Sequence, residues 1–368
     1  MTPTYDVVVA GGGPVGAACA RELALAGRRV LMLDPEGESG QAWRAAAGML
    51  APQMEADQDD PLLELGLAAR DQCESLAAAL RESIGADIGL WREGIAHVAG
   101  DEKEAGELWS KVARQRQQGH LADWLDAGEV KSRWPWLGPT AGALWAPHEG
   151  ALEPERLVAA LRQDARRLGA VLEQDAAIGI ESRGDRVTAV TGRRGRYAAG
   201  DIVVAAGAWS AAIAGVPRPL AVAPVRGQMA AFAWPAGARR AIIYGRGGYL
   251  VARGEEAIAG STMEYAGFDP RVSSVGLARV FASAAALCPA LSGAEARRTW
   301  AGLRPMTPDG LPILGAEPRL QGLWYATGHG RNGILLAGLT GHLIRQLLAG
   351  ETPDEDLEPF SPGRFWRW

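Results

Sequence analysis

Residues 5–34, YDVVVAGGGPVGAACARELALAGRRVLMLD, decide the fold of this chain. The apolar, β-branched segment 5–10 predicts a buried strand that leads directly into the glycine-rich turn 11–16. The alanine-rich segment that follows predicts a helix, which Gly27 ends, and residues 29–34 predict a second strand. We expect such a unit to be right-handed, with its two strands parallel.

The turn has the spacing Gly11-x-Gly13-x-x-Gly16 of dinucleotide-binding loops. In such loops the first glycine permits a tight turn, the second lets backbone approach a pyrophosphate, and the third lets helix and strand pack closely. The helix N-terminus offers free N–H groups to the phosphates. Asp34, at the end of the second strand, can accept hydrogen bonds from a ribose diol. These features predict a dinucleotide site, but they do not separate FAD from NAD.

Composition excludes several classes of protein. The chain has 368 residues, 48% of them hydrophobic, and a net charge of −5. This length favours two domains, the composition argues against disorder, and the acidic balance argues against nucleic-acid binding. Three cysteines far apart in sequence predict neither a metal site nor a disulfide framework, and they fit a reducing cytoplasm. We expect no membrane span, because no run of about 18 apolar residues is present, and no signal peptide, because a basic start and a cleavable small-residue site are lacking.

Three further segments point towards a flavin. Residues 45–52, AAAGMLAP, are small enough for backbone to lie against a flat ring, although a small-residue helix start would look similar. Residues 201–210 form an apolar strand ending in small residues, which could also be an ordinary buried strand. Residues 327–333, TGHGRNG, precede an apolar helix whose N-terminus could stabilise negative charge on a reduced flavin.

With these segments the sequence resembles the D-amino-acid-oxidase superfamily of flavoenzymes, and within it the glycine oxidases of the thiamine pathway. The resemblance lies in GGGPVG at 11–16, AAAGML at 45–50, WAGLRP at 300–305 and GHGRNGILLA at 328–337. It implies FAD, an imino-acid product and reoxidation by O₂. Because residues 300–306 contain no cysteine before the Thr-Pro-Asp element, it also implies non-covalent FAD.

The resemblance implies a set of cofactor-binding residues, with Trp43 standing where a small or hydroxyl residue is expected. The set comprises Gly11, Gly13, Pro14, Val15, Gly16, Asp34, Pro35, Ala42, Trp43, Ala47, Gly48, Met49, Ile178, Gly207, Gly330, Arg331, Asn332, Gly333, Ile334 and Leu335.

The substrate carboxylate needs an anchor, and the planar fork of arginine makes two parallel hydrogen bonds to such a group. Arg304 lies in a mostly apolar run, so it either binds the carboxylate or forms an internal salt bridge. Tyr249 matches the family's strand tyrosine and could donate a second hydrogen bond, or be an ordinary core tyrosine. Arg331 could bind substrate, line the flavin or line the entrance. Met49 and Met263 could form apolar walls or fill the core.

The order of elements predicts an α/β protein with a Rossmann-like FAD-binding domain and an inserted α+β substrate domain carrying a mostly antiparallel sheet. The predicted ranges are 1–85, 150–215 and 302–350 for the FAD-binding domain, 86–149 and 216–301 for the substrate domain, and 351–368 for a C-terminal tail. The aromatic end of the tail, 365–368, could be a docking peptide or pack on its own domain or a partner subunit.

The predicted function is oxidative deamination of glycine, sarcosine and small D-amino acids to the imino or oxo acid, ammonia and H₂O₂. The resemblance places it in thiamine thiazole synthesis and implies a homo-oligomer, a tetramer or a dimer. One alternative is a D-amino-acid or N-methylamino-acid dehydrogenase that passes electrons to an acceptor other than O₂. Another is a flavin-binding module without chemistry. No histidine is placed as a dedicated base, and His329 is expected to be structural.

Overall fold

The computed structural model describes residues 5–55 and 60–366, which form two large β-sheets with helices packed against them. Residues 1–4 and 56–59 of the predicted FAD-binding domain, and residues 367–368 of the tail, lie outside the described residues. In the part described, the helices are α1 (Pro14–Leu25), α2 (Ala42–Ala45), α3 (Pro52–Glu55), α4 (Pro61–Ile84), α5 (Glu102–Gln117), α6 (Ala127–Arg133), α7 (Pro154–Arg167), α8 (Ser274–Leu287) and α9 (Ala337–Ala349).

The strands are short, as is usual for a mixed α/β protein. They are β1 (Tyr5–Ala10), β2 (Val30–Leu33), β3 (Met49–Leu50), β4 (Ile95–Ala99), β5 (Asp123–Asp126), β6 (Gly142–Ala146), β7 (Gly150–Ala151), β8 (Val171–Glu173), β9 (Ala177–Arg183), β10 (Arg186–Gly192), β11 (Arg196–Val204), β12 (Ala223–Ala233), β13 (Ile242–Gly245), β14 (Gly248–Arg253), β15 (Glu256–Gly260), β16 (Arg298–Met306), β17 (Ile313–Ala316) and β18 (Leu323–Thr327).

The first sheet has the order β17-β18-β11-β1-β2-β8, and β10 and β9 extend from β11. Strand β1 lies between β11 and β2 and is parallel to both, so the predicted parallel unit is present. The carboxyl ends of these central strands therefore meet at one edge of the sheet. In open α/β sheets this edge is where ligands bind.

The second sheet has the order β16-β12-β15-β14-β13-β4-β6-β5 and is antiparallel except where β13 pairs with β4. This mixed α/β architecture confirms the predicted fold class. We propose that the two sheets are the centres of the two domains with the ranges predicted above. Strand β16 crosses the boundary at 301/302, since it pairs with β12 as far as Met306.

Small residues let the helices pack closely on the first sheet. In α1, Ala17, Ala18 and Ala20 are fully or almost fully buried. A Cβ on Gly341 of α9 would lie 2.7 Å from the carbonyl carbon of Ala18, so glycine is needed where the two helices meet. The alanine-rich composition of α1 follows from this packing, because larger side chains would push α9 away.

Several elements differ from the patterns predicted from sequence. Residues 220–225 and 228–234 look like two strands, but the structure has a single strand there, β12, from Ala223 to Ala233. Helix α5 was not predicted, although Ala105, Leu108 and Val112 are buried at helical spacing. The last helix begins at Ala337 rather than at residue 334, because the N–H of Ala337 donates to the carbonyl oxygen of Ile334, three residues back, in a turn tighter than that of an α-helix.

The tail packs on its own chain as far as the structure describes it. The Phe360 side chain is buried, and Arg364 donates to both carboxylate oxygens of Asp309 at 2.7 and 3.2 Å. Arg218 lies 4.6 Å above the ring of Trp366. Of the alternatives for the tail, these contacts favour packing on the chain itself. Across the described residues we find no helix whose length and apolar character would let it cross a membrane.

Candidate functional site

Residues from both sheets line one elongated cavity that begins at the carboxyl end of β1. Most of the predicted site residues lie along it: Gly11, Gly13, Pro14, Val15, Asp34, Pro35, Ala42, Trp43, Ala47, Gly48, Met49, Ile178, Gly207, Tyr249, Arg304, Gly330, Arg331, Asn332, Gly333 and Ile334. Gly16, Met263 and Leu335 do not line it. The structure therefore brings together segments that are more than 320 residues apart.

The glycine turn is shaped by close backbone contacts. Gly11 has φ +117°, and a Cβ there would lie 2.4 Å from the carbonyl oxygen of Ala205. A Cβ on Gly16 would lie 1.9 Å from the carbonyl oxygen of Gly11, so Gly16 supports the turn without reaching the cavity. Gly13 precedes α1 and no side chain caps the helix there. Without a side-chain cap, the first N–H groups of α1 are available to an anion.

Asp34 is almost fully buried at the end of β2 and is already hydrogen-bonded. One carboxylate oxygen accepts from the N–H of Gly12 at 3.1 Å and from Arg162 at 2.6 Å. The other accepts from the N–H of Glu36 at 2.9 Å. Arg162 also donates to the carbonyl oxygen of Gly12. Arg162 was not predicted as a site residue, although its position four residues after the buried Val158 places it beside the buried stripe of α7.

Two side chains of the second sheet hold residues 45–47 by donating to their carbonyl oxygens. Arg253 donates to the carbonyl oxygen of Ala47, and the Trp300 indole donates to that of Ala45 at 3.3 Å. Gly48 has φ +79°, and a Cβ there would lie 2.0 Å from the carbonyl oxygen of Leu152. Residues 45–48 are thus fixed between the two sheets through their backbone. Their small side chains permit this close approach. Neither Arg253 nor Trp300 was predicted to position them.

The turn before α9 contributes bare backbone and a buried histidine. Gly328 and Gly330 both have positive φ, at +75° and +54°. The His329 ring is buried and its Nε2 lies 3.0 Å from the hydroxyl of Thr340. Burial lowers the pKa of His329 to about 3, so the ring is neutral at physiological pH. These contacts agree with the expected structural role.

The residues present fit a flavin dinucleotide. Unsubstituted glycine backbone and a helix N-terminus lie at one end of the cavity, and small residues from three segments line its middle. The indole N–H of Trp43 is buried and has no hydrogen-bond partner among the described residues, although Trp43 lines the cavity. A buried donor without a partner is costly, and a ligand in this cavity could satisfy it. The three cysteines are buried and none lines the cavity.

The other end of the cavity is cationic. Arg304 of β16 donates to the Ser261 hydroxyl at 2.7 Å and to the carbonyl oxygen of Thr262 at 3.0 Å. The sulfur of Met263 lies 3.5 Å from the same guanidinium, while the Met263 side chain is about half exposed. Burial lowers the pKa of Arg304, but guanidinium stays charged in proteins. The internal salt bridge considered for Arg304 is absent among the described residues, where it donates only to neutral groups.

Tyr249 of β14 lies beside this guanidinium. Its side chain is buried, and its hydroxyl contacts the sulfur of Met229 at 3.4 Å. Burial raises the pKa of Tyr249, so the phenol stays protonated and can donate a hydrogen bond. Arg304 and Tyr249 lie on strands β16 and β14 of the same sheet, and such an arginine and tyrosine can together bind a carboxylate.

Arg331 has a carboxylate partner that was not predicted. The Glu55 carboxylate accepts from Arg331 at 3.0 Å and, on the same oxygen, from the Tyr244 hydroxyl at 2.9 Å. The pKa of Arg331 is raised, chiefly by this neighbouring carboxylate. Burial, with Glu55 beside it, raises the pKa of Tyr244 well above its ordinary value. Glu55 also lines the cavity.

A buried carboxyl group lies behind α3, the helix that carries Glu55. Glu149 accepts a short hydrogen bond from the N–H of Gln53, and its second oxygen is buried without a partner among the described residues. Gln53 in turn contacts Gln115 and Arg70. Burial raises the pKa of Glu149 to about 8, which keeps the group neutral at lower pH.

We expect Glu149→Gln to flatten the pH dependence of folding stability. A carboxyl group near pKa 4.5 when unfolded and about 8 when folded stabilises fully below pH 4.5 and loses that contribution as pH rises towards 8. The slope is up to ~1.4 kcal/mol per pH unit. Melting temperatures at pH 5.5 and pH 8.0 for both proteins test this. If the melting temperatures of the wild type and Glu149→Gln fell equally between pH 5.5 and pH 8.0, the raised pKa of Glu149 would be contradicted.

Comparisons with known proteins agree with this geometry. A family model described as FAD dependent oxidoreductase matches residues 6–347. A protein named glycine oxidase from Geobacillus kaustophilus is 38% identical, over 98% of this chain and 97% of that protein. A bifunctional protein ThiO/ThiG from Synechocystis is 34% identical over 99% of this chain, which spans 55% of that longer protein.

Solved structures are similar over almost the whole chain. The crystal structure of glycine oxidase from Geobacillus kaustophilus has a TM-score of 0.92 and 36% identity, covering 99% of each chain. The crystal structure of iminodiacetate oxidase from Chelativorans has a TM-score of 0.87 and 28% identity, covering 97% of this chain and 98% of the other.

Proposed function

Because the chain belongs to the family of FAD-dependent oxidoreductases, we propose that it oxidises glycine and other small amines, such as sarcosine and small D-amino acids. The observation that carries the proposal is Arg304, a cavity-lining guanidinium with no carboxylate partner among the described residues, next to the Tyr249 phenol. A substrate carboxylate is the complement of this pair. The similarity to proteins named glycine oxidase supports a small substrate.

The cofactor supplies the acceptor for the two electrons released when the substrate C–N bond becomes C=N, and O₂ is the final oxidant. We propose that the predicted cofactor-binding residues hold FAD without a covalent bond, since no cysteine lines the cavity in the described part of the chain. Gly16 acts by holding the glycine turn. Leu335, which does not line the cavity, would act through the turn before α9.

The chain's own residues bind and orient the substrate. Arg304 holds the carboxylate in a fixed direction because its guanidinium is anchored by Ser261 and by the carbonyl oxygen of Thr262. The neutral Tyr249 hydroxyl donates to the same carboxylate. Positioning of this kind can supply much of the rate enhancement. Met49 forms part of the cavity wall, whereas Met263 can contribute only from beside Arg304.

Among the residues that the structure describes, no side chain at this end is set up as a general base. The neutral His329 ring is engaged with Thr340, and Glu55 is engaged with Arg331 and Tyr244. The substrate amine therefore reacts in its neutral form, with its proton lost to solvent. The balanced reaction is amino acid, O₂ and water to oxo acid, ammonia and H₂O₂. Before hydrolysis, the imine is the species that thiazole synthesis would use, and the relative named ThiO/ThiG supports this pathway.

We expect glycine to bleach the purified yellow holoenzyme in the absence of air. Admission of air should then restore the colour and release one H₂O₂ per glycine consumed. Assays of ammonia and glyoxylate measure the other two products. The same experiment with sarcosine and D-alanine tests further substrates. Reduction by glycine without reoxidation by air would indicate the dehydrogenase alternative. A homo-oligomer, tetramer or dimer, and a cytoplasmic location stay predictions.

A further inference from the structure

The two arginines at the substrate end are in different electrostatic states. Arg331 is paired with the Glu55 carboxylate at 3.0 Å, and Tyr244 donates to the same oxygen. Arg304 donates only to neutral groups among the described residues. The cavity thus offers one guanidinium that is neutralised before substrate arrives and one that is not.

The remaining carboxylates along the cavity cannot balance Arg304, because they are paired elsewhere. Asp34 is 2.6 Å from Arg162, and Glu38 is 2.7 Å from Arg193. Arg304, Arg331 and Glu55 together therefore leave one net positive charge at the substrate end. A substrate with one acid group neutralises it.

A second acid group on the substrate would meet an occupied guanidinium. Arg331 contacts Glu55 through one guanidinium nitrogen, so a second acid group would either lie against the like-charged Glu55 carboxylate or displace it, and the Glu55 side chain is only 14% exposed. A displaced carboxylate in such a site lacks a compensating charge, and this is strongly unfavourable. The pair Glu55–Arg331 is thus a barrier to a second negative charge.

We propose that Glu55 sets the number of acid groups that this site accepts, and that removing its charge frees Arg331 to bind a second one. The proposal rests on the proposed function and specifies its substrate class as amines with a single acid group. Glu55 acts here as a specificity-determining residue through Arg331. Tyr244 positions the Glu55 carboxylate, since it donates to the oxygen that Arg331 contacts.

Two unreactive ether acids test the proposal by binding alone. Methoxyacetate and diglycolate have the same ether and carboxylate, and diglycolate adds a second carboxylate. Calorimetric titration of the wild-type holoenzyme should give at least ~10-fold tighter binding of methoxyacetate. In Glu55→Gln the ratio of affinities should shift towards diglycolate by roughly 10- to 100-fold, as expected for loss of a close charge pair. Equal binding of both acids by the wild type would overturn the proposal.

Turnover of sarcosine and iminodiacetate gives a second, independent measurement. Iminodiacetate differs from sarcosine by a second carboxylate, as diglycolate differs from methoxyacetate. The ratio of their kcat/KM values should shift in Glu55→Gln by a similar factor. Glu256→Gln is the matched control, because it removes a carboxylate that pairs with an arginine, Arg298 at 2.8 Å, outside the cavity, and its ratio should stay within about threefold of wild type. An equal shift in both variants, or no shift in Glu55→Gln, would contradict the proposal. Failure of every small amine to reduce the flavin would instead contradict the proposed function, and the titrations would still decide the role of Glu55.

Discussion

Arg304→Ala should lower kcat/KM for glycine by roughly 30- to 4000-fold while the protein still purifies with its flavin. Loss of a charged partner from a buried pair costs about 2–5 kcal/mol, and each 1.4 kcal/mol is tenfold. The effect should be large because the Tyr249 phenol alone cannot balance the charge of the substrate carboxylate. Steady-state H₂O₂ production across glycine concentrations, normalised to bound flavin, measures it.

The control for this variant is Arg298→Ala on the same strand. Arg298 is half exposed, pairs with Glu256 at 2.8 Å and does not line the cavity. Its removal should change kcat/KM by less than about twofold, because exposed ion pairs contribute little. An Arg304→Ala protein with full flavin content and wild-type kinetics would show that no substrate chemistry depends on this arginine. The chain would then fit the flavin-binding module without chemistry.

Gly16→Ala should abolish flavin binding and lower the melting temperature by about 1–4 °C. The added Cβ would lie 1.9 Å from the carbonyl oxygen of Gly11 and 3.3 Å from the Ala205 Cβ. The first of these atoms is backbone in a tight turn, so it cannot move away as a flexible side chain would. Overpacking typically costs about 1–3 kcal/mol and more where the neighbours cannot move. Absorbance near 450 nm and thermal unfolding measure both effects.

Gly106→Ala is a matched substitution without this contact. Gly106 lies within α5, and a Cβ there meets nothing within 4 Å. Alanine is the better helix former by about 1 kcal/mol, so this variant should keep its flavin and be slightly stabilised. If Gly16→Ala kept a full complement of flavin and the wild-type melting temperature, the close approach of α1 to the glycine turn would be contradicted.

The elements that were predicted well are those specified by neighbouring residues. Helix α4 begins and ends where its sequence indicates, since the Asp60 side chain accepts from the N–H of Leu62 at 2.8 Å and Gly85 has φ +68°. A cap and a terminating glycine act within a few residues of the helix end, so they can be recognised in sequence. The same holds for the unit β1–α1–β2, whose strand, turn and helix are continuous in the chain.

The pairings at the site depended on the fold. Glu55 and Arg331 are 276 residues apart, and Asp34 and Arg162 are 128 residues apart. Arg331 could be predicted to reach the site from its position in the turn before α9, but nothing near it in sequence indicates a carboxylate partner. Similarly, Met263 follows residues that anchor Arg304, yet its side chain points partly to solvent. Such partners are set by which chain segments the two sheets bring together.

The sequence by itself therefore determined the parallel unit at the N-terminus, the glycine turn and the expectation of a flavin. It also identified Arg304 and Tyr249 as candidates for binding the substrate carboxylate. These rest on short-range spacing, on the steric freedom of glycine and on local resemblance of motifs. Only the tertiary structure decided that Arg304 has no carboxylate partner among the described residues while Arg331 does, and that Arg162 engages Asp34. Charge balance inside a cavity is a property of three-dimensional proximity, because Coulomb interactions depend on distance in space and not on separation along the chain.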